Sequence, residues 1–291
     1  REIVRVSVST NGLLLLEHPE YLEELRRRDV VVSLQYDGLD PEADRRLRGR
    51  PLAEEKRRIL ARLAEHDVTT SLVMAVASGV NDAELPAVLR LLFDTPHIVS
   101  IVLQPLSFAG RAGSWQAITP RLTIPDLVDR LAASGVAPVA KEDFIPLPCS
   151  HPLCFSLAFY LKLDNGGLVS LSRLVQASET MDALANRVVF GLDAEEQARI
   201  KDMIYRIWSG PSGVIPDREE VLQSLRTILR GMGNQACGEG FDPRKIFRGS
   251  ERRVKSIFLH AFQDPGTFDL ARARRCCQPY PQRDGTQISP C

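Results

Sequence analysis

One stretch limits the fold more than any other: residues 30–49, VVVSLQYDGLDPEADRRLRG. Three β-branched residues and Leu34 form an apolar run of strand length, the kind buried on both faces of a parallel sheet. Gln35, Tyr36, Asp37 and Gly38 close it. Asp40-Pro41 then opens a short helix that ends at Arg48-Gly49. Alone this is an ordinary strand–turn–helix with a solvated, charged helix. Repetition gives it weight. Ser9-Thr10-Asn11-Gly12 closes the strand before it, Ser78-Gly79-Val80-Asn81-Asp82 the strand after, and Gln104-Pro105 the next. Ligands of parallel α/β proteins gather at the carboxyl ends of the strands. Here four successive strands end in small or amide-bearing polar residues.

The pattern along the chain is regular as far as residue 139. Strands are expected at residues 3–9, 30–35, 68–76 and 98–103. Helices are expected at 20–28, 52–66, from Asp82 to about residue 92, and after Thr123 until Gly135. This alternation specifies α/β architecture, a parallel sheet with right-handed crossovers, here curled into a partial (β/α) barrel over residues 1–140. Residues 141–291 read as a smaller α+β domain that bears cysteines. It starts with a proline-rich loop at 146–154 and a hairpin about Asp164-Asn165-Gly166-Gly167. Helical stretches near 173–188, 194–208 and 217–231, a strand at 254–262 and a short helix ending at Arg274-Arg275-Cys276-Cys277 complete it.

Composition narrows the class. Lys+Arg and Asp+Glu balance at 37 each over 291 residues, so no bulk charge points to nucleic acid or to an anionic membrane. No apolar run reaches membrane-spanning length and no secretory leader opens the sequence, which suits a cytoplasmic protein. The first residue is Arg and the last Cys, so both ends read as cut and the chain as a fragment. All six cysteines, Cys149, Cys154, Cys237, Cys276, Cys277 and Cys291, fall in the second half. In a large cytoplasmic chain such clustering points to metal or catalysis rather than to disulfides.

Two sets of residues could carry chemistry. Thr10, Asn11, Gln35, Asp37, Asn81 and Gln104 could hydrogen-bond the amino-acid and ribose groups of a cofactor, and Arg48 could clamp a carboxylate. Singly, each is better read as turn chemistry; the favour goes to function because four strand ends share the pattern. The second set is Cys149, Cys154, Cys276, Cys277 and Cys291, whose thiolates suit iron–sulfur clusters or other soft metals. Adjacent cysteines rarely serve one small centre, and Cys277, deeper in the final loop, is favoured over Cys276. His151 reads as a turn residue, Cys237 as a free thiol and His260 as a packed structural histidine.

With TNG, the D-G turn followed by L-R-G, and G-V-N-D in this order, the chain resembles the radical-SAM superfamily. PLPCSHPLC, together with HAFQDPGTFDLARARRCCQPYPQRDG and the final cysteine, resembles the branch that holds archaeal tetraether-lipid synthase and a pterin-modifying methyltransferase. Arg283 stands where that pattern has proline, and Pro290 directly precedes the last cysteine. The resemblance covers nearly the whole chain. It implies S-adenosylmethionine as cofactor, bound by the strand-end set, and a cluster that reductively generates a 5′-deoxyadenosyl radical for C–H activation. It also implies an auxiliary cluster or iron at the later cysteines, an electron donor as partner, and C–C bond formation or methyl transfer on a lipid or pterin-like substrate. The Leu-rich later helices favour a large, partly apolar substrate. The superfamily's C-x3-C-x2-C and its following G-G-E are absent from these residues and are expected before Arg1, so the chain alone is expected to be inactive. The alternative is a non-catalytic β/α module with a structural zinc.

Overall fold

The computed structural model describes residues 6–147, 150–174, 202, 204, 205, 217–236 and 252–291. β1 (Val6–Thr10) leads through a one-turn helix α1 (Leu14–Glu17) into α2 (Glu20–Arg27), then β2 (Val30–Gln35). Next come α3 (Pro41–Arg48), α4 (Ala53–Glu65), β3 (Thr70–Val76), α5 (Leu85–Asp94), β4 (Ile98–Pro105) and α6 (Ile124–Ala132). Local chemistry sets several of these bounds. Asp40 caps α3 by accepting from the Glu42 N–H, and Gly49 ends it in the left-handed region, φ 83°. Thr123 and Asp126 form a reciprocal capping box on α6. Asp82 departs from expectation. It opens a short 3₁₀ turn rather than capping a helix, and its carboxylate accepts from the Gly79 N–H and pairs with Arg130.

β1 to β4 pair in parallel and in sequence order. The second half continues the same sheet. β5 (Ile145–Pro146), β6 (Phe155–Lys162) and β7 (Leu168–Ser170) are followed by α7 (Arg218–Ala236) and β8 (Val254–His260). β8 pairs in parallel with β4, and β6 lies antiparallel beyond it, so the path runs β1-β2-β3-β4-β8-β6-β5. The boundary expected near residue 140 thus falls within one hydrogen-bonded sheet. Among the described residues the sheet is an open path. The expected helical stretches at 173–188 and 194–208 lie almost wholly outside the described residues. A short helix α8 (Leu270–Arg274) and a small hairpin, β9 (Tyr280–Pro281) with β10 (Gln287–Ile288), close the chain. No helix among the described residues is long and apolar enough to cross a membrane.

The two faces of the sheet differ in chemistry. One carries Val32, Leu34, Leu72, Met74, Ile101, Leu103, Ile257 and Leu259, packed with α4, α5 and α6 through Ile59, Leu63, Leu89 and Leu127 in the main core. Each such side chain contributes about 1.5–3 kcal/mol when fully buried. On the other face, strand register aligns Ser9, Ser33, Ser71, Ser100 and Ser256 in one row across five strands. Within that row Ser100 donates to Ser71 at 2.7 Å. The row meets Phe159 on β6, where Phe155, Leu157 and Phe159 gather a second apolar cluster with Ile145 and Leu147. At the amino-terminal end of the strands Lys255 is fully buried and donates to the carbonyls of Thr95, Pro96 and Ile98.

Candidate functional site

The carboxyl ends of β1, β2 and β3 are locked by side chains that bond mainly to one another. Asp37 accepts from Arg48 Nε at 2.6 Å and Nη2 at 3.1 Å, from the Ala75 N–H at 3.0 Å, and from the Gln35 amide. Its carboxylate has no exposed surface. Asn81, also fully buried, donates to the carbonyls of Asp37 and Ala75 and accepts from the Ala77 N–H. Lys56 reaches up from α4 to the Asn11 carbonyl at 2.7 Å and the Gln35 carbonyl at 2.6 Å, and to the Gln35 amide oxygen. Burial pushes the Lys56 ammonium down to about 8, against the pull of Asp37 and Asp44. Asp44, raised by burial and by Asp37, accepts from the Leu52 N–H but leaves Oδ1 without a partner.

The residues expected to meet a cofactor thus divide. Gln35, Asp37 and Asn81 spend their polar atoms on each other and on main chain. Thr10 and Asn11 shape the turn after β1 by accepting from Gly12 and Leu13, with Thr10 half-buried and Asn11 exposed. Gly12 is needed there: at φ 80° an added Cβ would lie 2.7 Å from the Leu34 side chain. Arg48 is 36% exposed on its side chain, so part of it remains within reach of a ligand. Gln104 is half-buried. It follows the last registered pair of β4 and β8, Leu103 with Leu259, and faces the same side as His260. The sequence missed Lys56, although it lies on the buried stripe of α4 with Ala53, Ile59, Leu60 and Leu63.

Beyond β8 lies the second set. Cys154, Cys276, Cys277 and Cys291 line one small pocket, open to solvent, with His260, Gln263 and Arg272. Cys149 and Cys237 lie outside the described residues. The loop into β6 is held by its own turn: His151 offers its carbonyl to the Cys154 N–H and Nδ1 to the Leu153 N–H, a turn role as expected. Cys291 Sγ accepts from the Gln263 N–H at 3.3 Å, and Arg272 Nε donates to Cys154 Sγ at 2.8 Å. Cys154 and Cys277 also pack against the apolar cluster of β5 and β6. His260 belongs to this pocket as well as to the sheet, its ring tilted against those of Phe155 and Phe262 at centroid distances of 5.1 and 4.2 Å. Burial, and then Arg272, bring its imidazole down to about 4. Asp264 ties the same corner to the loop after β4 through Arg121 and the Phe108 N–H. Burial alone would raise its carboxyl; those bonds hold it down at about 2.

Among the described residues no three His, Cys, Asp or Glu side chains stand ready-made at metal-binding distance. The donor set nonetheless suits a soft metal. Four thiols face one pocket, and two of their sulfurs already accept N–H bonds of the sort that surround metal-bound thiolates. At the strand ends the accessible groups of Thr10, Asn11, Arg48 and Gln104 are hydrogen-bonding types that suit a zwitterionic cofactor.

A parallel sheet with polar strand ends and a thiol pocket at the same end is the setting in which the comparisons fall. Residues 1–92 match the Radical SAM superfamily, which upholds the resemblance seen in the strand-end motifs. Along 99% of its length the chain is similar, at 21% identity, to the 7,8-dihydro-6-hydroxymethylpterin dimethyltransferase of Methanocaldococcus jannaschii. It spans 60% of the length of that relative.

Proposed function

We propose that this chain is part of a radical-SAM iron–sulfur enzyme that activates a C–H bond for methyl transfer or C–C bond formation on a pterin-like small molecule. The observation that carries the reading is the set of polar strand ends, because it coincides with the stretch matching the Radical SAM superfamily. When bound, S-adenosylmethionine and a reduced [4Fe–4S] cluster supply a 5′-deoxyadenosyl radical, and the protein supplies orientation. Thr10, Asn11, Arg48 and Gln104 are the groups able to touch the cofactor. Asp37 holds Arg48 and Lys56 holds the Asn11 main chain, while Gln35 and Asn81 brace Asp37. Cys154, Cys291 and one or both of Cys276 and Cys277, with Cys149, would hold an auxiliary iron–sulfur or iron centre.

Of the two substrate classes, a pterin-like heterocycle is preferred to an alkyl chain. This revises the lean toward an apolar substrate, which rested on helices largely outside the described residues. The relative's pterin activity supports the same choice. A cytoplasmic location and a soluble one-electron donor go with the reading.

The test is anaerobic. A protein joining this chain to a C-x3-C-x2-C segment should turn brown, and dithionite should drive it to convert S-adenosylmethionine into 5′-deoxyadenosine and methionine. Arg48→Ala together with Gln104→Ala should weaken cofactor binding, the former by about 1.5–3 kcal/mol if its charge-assisted bond is lost. A colourless protein with stoichiometric zinc and no 5′-deoxyadenosine would establish the structural-zinc alternative instead.

A further inference from the structure

Arg272 presents a problem of charge. It is only 8% exposed, and its guanidinium is committed to three acceptors. Nη2 donates to the carbonyls of Leu153 at 3.0 Å and Ala261 at 2.7 Å, and Nε to Cys154 Sγ. No carboxylate among the described residues accepts from it. The two carboxylates in that corner are spent on other donors: Asp269 accepts from the main-chain N–H groups of Ala271 and Arg272, and Asp264 from Arg121 and main-chain N–H groups. A guanidinium does not lose its proton in a protein, and a buried cation without a counter-charge costs several kcal/mol. The acceptors in reach are two neutral carbonyls and one sulfur. The sulfur of Cys154 is thus the one side-chain acceptor of this guanidinium among the described residues.

We infer that Arg272 is the counter-charge of a thiolate-ligated metal centre in this pocket and aims Cys154 Sγ at it. The inference rests on the metal reading of the cysteines made above and assigns it a positioning residue. The geometry makes the role specific. The two carbonyls belong to the loop before β6 and to the end of β8, whose Ala261 N–H also bonds the Cys154 carbonyl at 2.9 Å. The guanidinium plane is thus fixed by both walls of the pocket before any metal arrives. Of the three N–H groups left, the one on Nε points at the sulfur. A centre held by four thiolates carries net negative charge, so a fixed cation beside one ligand favours the metal-bound state. An N–H···S bond also draws electron density from the sulfur, which raises the reduction potential of an attached cluster. Cys276 stands four residues after Arg272, one turn on from the same short helix, so the residue that steadies one ligand also leads the chain to the next.

The test uses the 291-residue chain, with Co²⁺ as an optical probe and, separately, anaerobic iron–sulfur reconstitution. Arg272→Met should weaken Co²⁺ binding about 10–100-fold, shift the sulfur-to-cobalt charge-transfer bands, and lower the midpoint potential of the reconstituted centre. Arg272→Lys, which keeps the charge, should retain more affinity than Arg272→Gln, which keeps only an N–H donor. In a Cys154→Ser background the replacement of Arg272 should add little further loss. A merely structural clamp predicts otherwise: lower metal content in all three variants, with parent bands and parent potential in whatever fraction loads. That result overturns the role of Arg272. A parent chain that takes up neither Co²⁺ nor cluster overturns the metal site itself, and the role with it. Should Arg272→Met fail to fold, the Lys and Gln variants decide the matter by the same two readouts.

Discussion

The strand-end cluster and the thiol pocket share one end of one sheet, yet they are held in opposite ways. At the strand ends, Asp37, Arg48, Gln35, Asn81 and Lys56 satisfy one another and the main chain around them. In the pocket, each of Cys154 and Cys291 takes one N–H from outside the cysteine set. The first region is complete as a folded unit. The second is a ring of donors whose remaining valence suits an added group. The difference teaches where stability and where ligand dependence should be found.

The largest effect that could break this contrast is at Asp37. Asp37→Ala strands a half-buried guanidinium, an amide and the Ala75 N–H together, and should cost about 3–5 kcal/mol in denaturant unfolding. Cys154→Ser in the metal-free chain should cost about 1 kcal/mol or less, since the serine hydroxyl can still accept from Arg272 Nε. Comparable losses at the two positions would erase the distinction. Next in size is metal. Loading the pocket at a hundredfold excess over its dissociation constant should stabilise the chain by about 2.7 kcal/mol. The gain should vanish in Cys154→Ser and persist in any Arg48→Ala protein that folds. Thermal or denaturant melts with and without metal read both.

Smaller again is a pH effect. Burial holds Lys56 near 8 and Lys255 near 7, below the ordinary 10.5. The unfolded chain binds those protons more tightly, so stability should rise with pH from about 7 toward 10. Above about 10 the sign reverses, because burial holds Tyr36 and Tyr160 protonated in the folded state. Denaturation midpoints of Lys56→Met and Lys255→Met at several pH values should show a flatter rise. A slope identical to the parent's would mean that neither lysine is desolvated as its position implies. The smallest effect is at Ser100→Ala, which removes the bond to Ser71 and should cost about 1 kcal/mol without altering metal uptake.

What the sequence disclosed follows from how local each signal is. α3 was legible to the residue, because Asp40, Pro41 and Gly49 each act within one turn. β8 was legible as a strand but not as β4's neighbour, since pairing across so many residues leaves no periodic trace. Gln35, Asp37 and Asn81 were noticed as strand-end polar groups. Their mutual bonding was not, because a list of polar residues does not say which face each other. Arg272 was lost among Arg274 and Arg275; only the fold shows that it alone of the three is buried. His260 was taken as a packed histidine, and it is one, but strand register also sets it in the wall of the thiol pocket.

The junction of β4 with β8 bears on how the chain is made. Phe108 and Asp264, which bond across it, are 156 residues apart. During synthesis the first four strands are ready long before their fifth parallel partner leaves the ribosome, and β4 waits with one main-chain edge unpaired. Such edges recruit other strands, and distant pairings slow the search for the native state. Expression should therefore be sensitive to any truncation that removes β8, even one that leaves residues 6–105 untouched. A ribosome-associated chaperone that shields β4 would raise the yield of soluble protein more than any change to the strand ends themselves.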